Sequence, residues 1–132
     1  ELQCVARDQV PLRTRQGVVS MTELVRSSMR LRPDRVVVGE VRGPEALDLL
    51  DAWNTGHEGG AATLHANNPA AGLVRLKSLI TRNASAPADI EPLIGEVVHM
   101  VVHIARTPTG RRVQEILEVS GYADGRYLTH LL

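Results

Sequence analysis

The sequence predicts an α/β fold in which parallel strands with flanking helices come first and a small β meander comes last. One observation is a continuous β-branched run at residues 36–38, which is typical of a parallel strand buried on both faces. Segments with helical spacing of apolar residues flank this run, and apolar and polar residues alternate near the carboxyl end. With 132 residues, of which 43% are apolar, the chain is long enough for one hydrophobic core.

The amino-terminal part predicts an irregular segment followed by a helix. Residues 2–12 alternate in polarity but with interruptions, which favours an irregular or edge segment. Ser20 and Glu23 have the spacing of a capping box and predict a helix that begins there. The helix is expected to run to about Leu31, because Pro33 disfavours helical backbone at the residue before it.

The central part predicts a strand, a helix and a second strand. The first strand covers residues 35–41, and Pro44 suits the first turn of the helix that follows. Gly56 is expected to end that helix in a left-handed conformation. Residues 60–64 are short and apolar, which predicts a second core strand.

The carboxyl-terminal part predicts two helices and then the meander. A helix is expected over residues 67–80, and Asp89 is the predicted cap of a second one. Strands are predicted at residues 100–105, 113–119 and 126–131, in the order in which turn signals separate them.

Composition argues against some classes of function. Net charge is zero and aromatic residues make up 2%, so no direct nucleic-acid binding is expected. A single cysteine, Cys4, excludes an internal disulfide and fits a reducing compartment. No apolar stretch reaches the length of a membrane span.

Glu40 and His65 are the first candidates for chemistry. Ligands of open α/β sheets bind beyond the carboxyl ends of the strands, and Glu40 ends the first predicted strand. Gly39 allows a ligand to approach the backbone closely. His65 follows the second apolar run and is therefore expected at the same edge. The alternatives are an ordinary exposed glutamate at a strand end and a satisfied core histidine.

Two motifs in this region resemble a known family. RPDRVVVGEVRG, residues 32–43, resembles the Walker B region of secretion-type traffic ATPases, and TGHEGGAATLHAN, residues 55–67, resembles their His box. Similarity to TrbB-type conjugal transfer ATPases continues through ARTPTGRRVQEILEVSG, residues 105–121. The resemblance implies a RecA-like P-loop NTPase core that uses ATP and Mg²⁺. It also implies a homo-oligomer, expected to be a hexamer, with other secretion or conjugation proteins as partners and a cytoplasmic, peripheral place on the inner membrane.

The resemblance also implies roles for single residues. Glu40 would hold magnesium through water or orient the attacking water, and His65 would sense the γ-phosphate. Arg42 and Arg30 would contact phosphate or couple neighbouring subunits, against the alternative of a solvated basic face or an ion pair. His57 is open between a nucleotide contact and a histidine that interacts with a helix end.

The phosphate-binding loop is absent from this sequence. The pattern G-x-x-x-x-G-K-[ST] does not occur, and the single lysine, Lys77, lies in a helical pattern without a glycine loop. Residues 1–3 resemble the end of the family's acidic box. Residues 1–132 are therefore expected to be the C-terminal portion of a RecA-like ATPase domain, with the acidic-box tail, Walker B region and His box.

The expected function is a part in a hexameric ATPase for conjugative DNA transfer or type IV secretion, with the isolated chain inactive. Which acid is the catalytic base stays open, because the acidic-box glutamate that the family usually uses is not in this sequence. The alternatives are a type II secretion or type IV pilus motor ATPase and a non-catalytic, truncated interaction module.

Overall fold

The structure is a computed structural model that describes residues 5–132. The expectations for the acidic-box tail and for Cys4 lie outside the described residues. Residues 5–14 have no regular secondary structure, as the interrupted alternation predicts.

Helix α1, Met21–Ser28, begins at the predicted capping box. The Glu23 amide donates to Ser20 Oγ at 3.2 Å, and the Ser20 amide donates to Glu23 Oε2 at 2.7 Å. A 3-10 turn, Met29–Leu31, extends the helix, and Arg32 then adopts a left-handed backbone with φ of 51° ahead of Pro33. The predicted start and end of this helical segment are confirmed.

A β-α-β unit follows, made of β1 (Val37–Val38), α2 (Glu45–Asn54) and β2 (Ala61–Ala62). The two strands are parallel, with Val37 opposite Ala61 and Val38 opposite Ala62. Both strands are shorter than predicted, and the expectation that they are fully buried is wrong. Val37 is 48% exposed, and both alanines of β2 are exposed. Within the described residues this sheet has two strands.

Two further helices pack against α2 and against the strands that follow them. Helix α3, Pro69–Ile80, begins at Asn68, whose side chain accepts from the Ala71 amide at 2.7 Å. Helix α4, Glu91–Val97, has Ile90 at its cap without a side-chain hydrogen bond, so the prediction that Asp89 caps it is wrong. Ile90 is completely buried, and its burial rather than a polar cap fixes where this helix starts.

The chain ends in an antiparallel meander of β3 (Met100–Thr107), β4 (Gly110–Ala123) and β5 (Arg126–Leu131). Asp124 and Gly125 have φ of 52° and 75°, which is the two-residue turn that their sequence predicts between β4 and β5. Bulges interrupt the β3–β4 and β4–β5 pairings. The predicted fold class, α/β with a terminal β meander, is confirmed.

One hydrophobic core joins the β-α-β unit to the meander. Its buried members come from α1, β1, α2, α3, α4, β4 and residues that flank β1 and α4, namely Val25, Val36, Val38, Val41, Ala46, Leu47, Leu49, Leu50, Leu73, Leu79, Ile80, Ile90, Ile94, Val97 and Val119. Trp53 is half-buried and packs against this core. None of the helices formed by residues 5–132 has the length and apolar character needed to cross a membrane.

Candidate active site

The two parallel strands bring residues 39–41 next to residues 63–65. Beyond the end of β2, the Val41 amide donates to the Thr63 carbonyl at 2.9 Å. The Thr63 hydroxyl donates to the Gly39 carbonyl at 2.5 Å. Thr63 therefore ties the two strand ends together through both its backbone and its side chain. In the sequence, a β-branched residue such as Thr63 fits an ordinary strand position equally well, so the sequence alone does not favour this contact.

The Glu40 carboxylate lies at this edge with both of its oxygens engaged. Arg42 Nη2 donates to Glu40 Oε2 at 2.5 Å, and His65 Nε2 is 3.1 Å from Glu40 Oε1. The Glu40 side chain is 24% exposed, which leaves it open to a ligand from one side. The structure thus brings Glu40, Arg42 and His65 together. The hydrogen bond between Thr63 and Gly39 joins the two strand ends that carry them.

The charges in this cluster reinforce one another. The hydrogen bond from Arg42 lowers the pKa of Glu40 below its ordinary value, against a smaller opposing effect of desolvation. The positive charge of Arg42 lowers it further, and so does the nearby His65. The same hydrogen bond raises the pKa of Arg42. Glu40 is therefore an ionised carboxylate at neutral pH.

His65 is not a core histidine. Its side chain is 91% exposed while Nε2 contacts Glu40, so this alternative from the sequence is wrong. An exposed imidazole fixed to a carboxylate is accessible to a ligand at the strand ends.

His57 and Arg30 lie apart from this cluster. His57 Nδ1 is 3.1 Å from the Ala52 carbonyl, in the last turns of α2, which favours the helix-end interpretation of this histidine. Arg30 is exposed in the 3-10 turn after α1. Among residues 5–132, no hydrogen bond or ion pair connects either side chain to Glu40 or His65.

Glu45 is a site residue that the sequence analysis did not identify as one. Its Oε1 accepts hydrogen bonds from the backbone amides of Arg42 and Gly43, at 2.8 and 2.9 Å. Glu45 is thus bonded to backbone amides of the loop that carries Arg42. The sequence signal for Glu45 is its position three residues after Arg42, at the start of a predicted helix. A carboxylate there can accept hydrogen bonds from backbone amides that have no partner within the helix.

The donor set fits magnesium held through water. Magnesium in nucleotide sites usually keeps several waters and takes one or two carboxylates together with phosphate oxygens. Glu40 supplies one carboxylate whose oxygens already accept from Arg42 and His65, which suits a contact through water better than direct coordination.

Comparison with known proteins places the chain in a defined family. Residues 1–121 match the family model described as type II/IV secretion system protein. Over 127 residues the chain is 52% identical to the probable conjugal transfer protein TrbB of Sinorhizobium fredii, covering 96% of this chain and 38% of that protein. It is 31% identical over 119 residues to the type IV secretion system protein PtlH of Bordetella pertussis, covering 87% of this chain and 35% of that protein.

A solved structure supports the same assignment. The fold resembles the VirB11 ATPase from the Brucella suis type IV secretion system in complex with sulphate, with a TM-score of 0.70 and 31% identity. The match covers 74% of this chain and 31% of that one. The chain thus spans less than two fifths of the length of these relatives. The resemblance to secretion ATPases of the TrbB type, and the RecA-like fold class it implies, are confirmed.

Proposed function

This chain belongs to the type II/IV secretion system protein family, and from that membership we propose that it forms the magnesium and γ-phosphate side of an ATPase site. The single observation that supports the proposal is the cluster of Glu40, His65 and Arg42 at the carboxyl ends of two parallel strands. Strand ends of this kind are where α/β folds bind nucleotides. The ATPase powers conjugative transfer or type IV secretion, as the names of its relatives indicate.

Each residue of the cluster has a distinct part. Glu40 is ionised and accepts hydrogen bonds from the water shell of the metal, or orients the water that attacks the γ-phosphate. Magnesium, when bound, neutralises the charge that develops on the transferred phosphoryl group. His65 donates a hydrogen bond to a γ-phosphate oxygen. Because His65 also contacts Glu40, the presence of the γ-phosphate is coupled to the position of the Glu40 carboxylate.

Arg42 keeps Glu40 in place and ionised. Its side chain is 79% exposed, so it is also free to contact phosphate or a neighbouring subunit. Gly39 lets the ligand approach the backbone. Arg30 is exposed and is proposed to face the nucleotide of a neighbouring subunit, and His57 is proposed to act in the same coupling.

The proposed function also requires a P-loop that binds the phosphates of ATP. P-loop amides and a P-loop lysine bind the β- and γ-phosphates in this class of ATPase, and no such motif occurs in the sequence. We propose that a segment outside these 132 residues supplies it and that the isolated chain does not turn over ATP. The working assembly is a hexamer on the cytoplasmic side of the inner membrane, in contact with other secretion proteins.

The test is ATP hydrolysis by a longer protein that joins a P-loop segment to these residues. Glu40→Gln keeps the size of the side chain but removes its charge. Loss of a positioned acid in such sites costs about 100-fold or more in kcat, with a smaller effect on the KM for ATP.

Glu58→Gln is the matched control, because Glu58 is an exposed acid that lies between His57 and His65 in the chain. It is expected to leave kcat within about twofold. Equal rates for the Glu40 and Glu58 variants would contradict the role proposed for Glu40.

A further inference from the structure

The loop that presents Glu40 and Arg42 is held by a buried carboxylate. This segment, residues 39–44, is called the acid loop here. Glu45 is the first residue of α2 and is only 7% exposed. Its Oε1 accepts hydrogen bonds from the amides of Arg42 and Gly43. Because an unpaired buried carboxylate is costly, these two bonds and the helix amino terminus are what make its burial tolerable.

The fit between Glu45 and the acid loop is close. A β-carbon built on Gly43 would be 2.8 Å from Glu45 Oε2, which is closer than real β-carbons come to such an atom. Glycine at position 43 therefore lets the loop backbone pass directly against the carboxylate. The carboxylate end of Glu45 is held in this place by its bonds to the Arg42 and Gly43 amides.

Two carbonyl groups of the acid loop accept hydrogen bonds from side chains that follow α3. Arg82 Nη1 donates to the Arg42 carbonyl at 3.3 Å, and Asn83 Nδ2 donates to the Pro44 carbonyl at 3.1 Å. Both donors follow the end of α3, about forty residues away in the chain. The acid loop is thus fixed by α2 through its amides and by the end of α3 through its carbonyls.

We propose that Glu45 is a positioning residue of the nucleotide site, acting on Glu40 and Arg42 through the backbone of the acid loop. The proposal rests on the ATPase function proposed above. Arg42 donates to Glu40, and Glu45 binds the Arg42 amide directly, so Glu45 fixes the backbone from which the Arg42 side chain extends. Loss of Glu45 therefore allows the Arg42–Glu40 pair to drift, although neither side chain is changed.

The expected signature is a fall in kcat without a matching rise in KM. A displacement of about 1 Å in a catalytic group can cost about 100-fold in rate, so Glu45→Ala is expected to lower kcat by about 10- to 100-fold. ATP binding depends mainly on the phosphate cradle, so KM for ATP is expected to stay within about twofold. Glu45→Gln keeps an oxygen acceptor for both amides and is expected to restore most of kcat.

The experiment has two arms. Amide hydrogen exchange is measured by NMR in the 132-residue chain, and ATP hydrolysis is measured in the longer protein that contains a P-loop. In Glu45→Ala, the amides of Arg42 and Gly43 are expected to exchange about tenfold faster or more, because each loses its acceptor. In Glu45→Gln, their exchange is expected to match that of the parent.

Glu23→Ala controls for a general loss of stability. Glu23 also accepts hydrogen bonds at a helix amino terminus, in the capping box of α1, but does not contact the acid loop. It is expected to lower the melting temperature without changing kcat below that temperature. If Glu45→Ala does not fold, the double variant Arg82→Ala/Asn83→Ala replaces it, because it loosens the loop from its other side and is expected to lower kcat several-fold.

The outcomes separate the two proposals. Unchanged exchange of Arg42 and Gly43 in Glu45→Ala, or faster exchange with unchanged kcat, would overturn the positioning role. A longer protein without ATPase activity would overturn the proposed function and with it the catalytic consequence. The exchange rates would then still decide whether Glu45 fastens the loop.

Discussion

Gly60 occupies a space that no larger residue can share, and Gly60→Ala is a strong test of how β1, α2 and β2 are joined. A β-carbon at Gly60 would be 2.0 Å from Trp53 Nε1 and 2.4 Å from the Val36 carbonyl oxygen. These two atoms form a hydrogen bond of 3.0 Å that connects α2 to the start of β1. Gly60 does not have a positive φ, so alanine there fails through packing rather than backbone strain.

The expected cost follows from the two atoms that must move. Separation of Trp53 from Val36 leaves a donor and a buried carbonyl without partners, at about 1–3 kcal/mol. Forcing an extra methyl group into a packed site costs about 1–3 kcal/mol more. We therefore expect Gly60→Ala to lower the free energy of unfolding by about 2–5 kcal/mol. The same shift displaces the strand end that leads to Thr63 and His65.

The assay is urea unfolding followed by tryptophan fluorescence, which reports on Trp53, the one tryptophan of the chain. Gly72→Ala is the matched control, since Gly72 lies within α3 and its β-carbon would meet Val101 Cγ1 at an ordinary 3.5 Å. That variant is expected to be more stable by about 0.5–1 kcal/mol, because alanine favours helix over glycine. A Gly60→Ala midpoint equal to that of the parent, with an unchanged slope, would refute the packing argument.

Three further predictions concern other parts of the fold. Arg42→Gln is expected to raise the pKa of Glu40, because it removes the main contact that lowers this pKa. In the parent, the stabilisation from ionised Glu40 is present above the unfolded pKa and is lost as pH falls through the folded pKa. Carboxyl NMR titration of the folded proteins should therefore give a higher pKa for Glu40 in the variant than in the parent. An unchanged titration would contradict the pairing. Tyr127→Phe is expected to be neutral or stabilising by up to about 1 kcal/mol in thermal unfolding, because the buried Tyr127 hydroxyl has no partner among the residues described. Burial raises the pKa of Tyr127 to about 12 from 10.0, so the parent should lose stability between these pH values as the unfolded tyrosine ionises first, and the variant should lose less. Gly95→Ala should lower the melting temperature, because a β-carbon at position 95 would be 2.9 Å from the Tyr122 amide nitrogen, where α4 packs on β4. A melting temperature at or above that of the parent would contradict this close approach.

Local patterns predicted those elements whose signals are themselves local. The capping box of Ser20 and Glu23 and the Asp124–Gly125 turn are short-range signals, and the structure has both. Helix α3 begins at Pro69, within the predicted region, because Asn68 supplies its own cap.

The failures have a different physical origin. The burial of β1 was predicted from its β-branched run, but burial depends on what covers the strand, and the sequence of the strand alone does not contain that information. Asp89 looked like a helix cap, whereas the complete burial of Ile90 sets the start of α4.

The candidate site was predictable where topology alone was sufficient. Parallel strand ends meet at one edge, so Glu40 and His65 were expected together, and they are 3.1 Å apart. The contacts of Arg82 and Asn83 with the acid loop depend on backbone positions about forty residues away and on an exact turn conformation. No spacing rule in the sequence encodes such contacts.

The most direct test of the central claim is phosphate release from ATP by the 132-residue chain with magnesium present. The account predicts no turnover above the rate of its Glu40→Gln variant, because Glu40 and His65 act on a nucleotide that a P-loop must first bind. The longer protein with a P-loop, measured in parallel, should hydrolyse ATP and lose that activity with the same substitution. Robust turnover by the 132-residue chain that Glu40→Gln abolishes would contradict the account, since the site would then be complete without a P-loop.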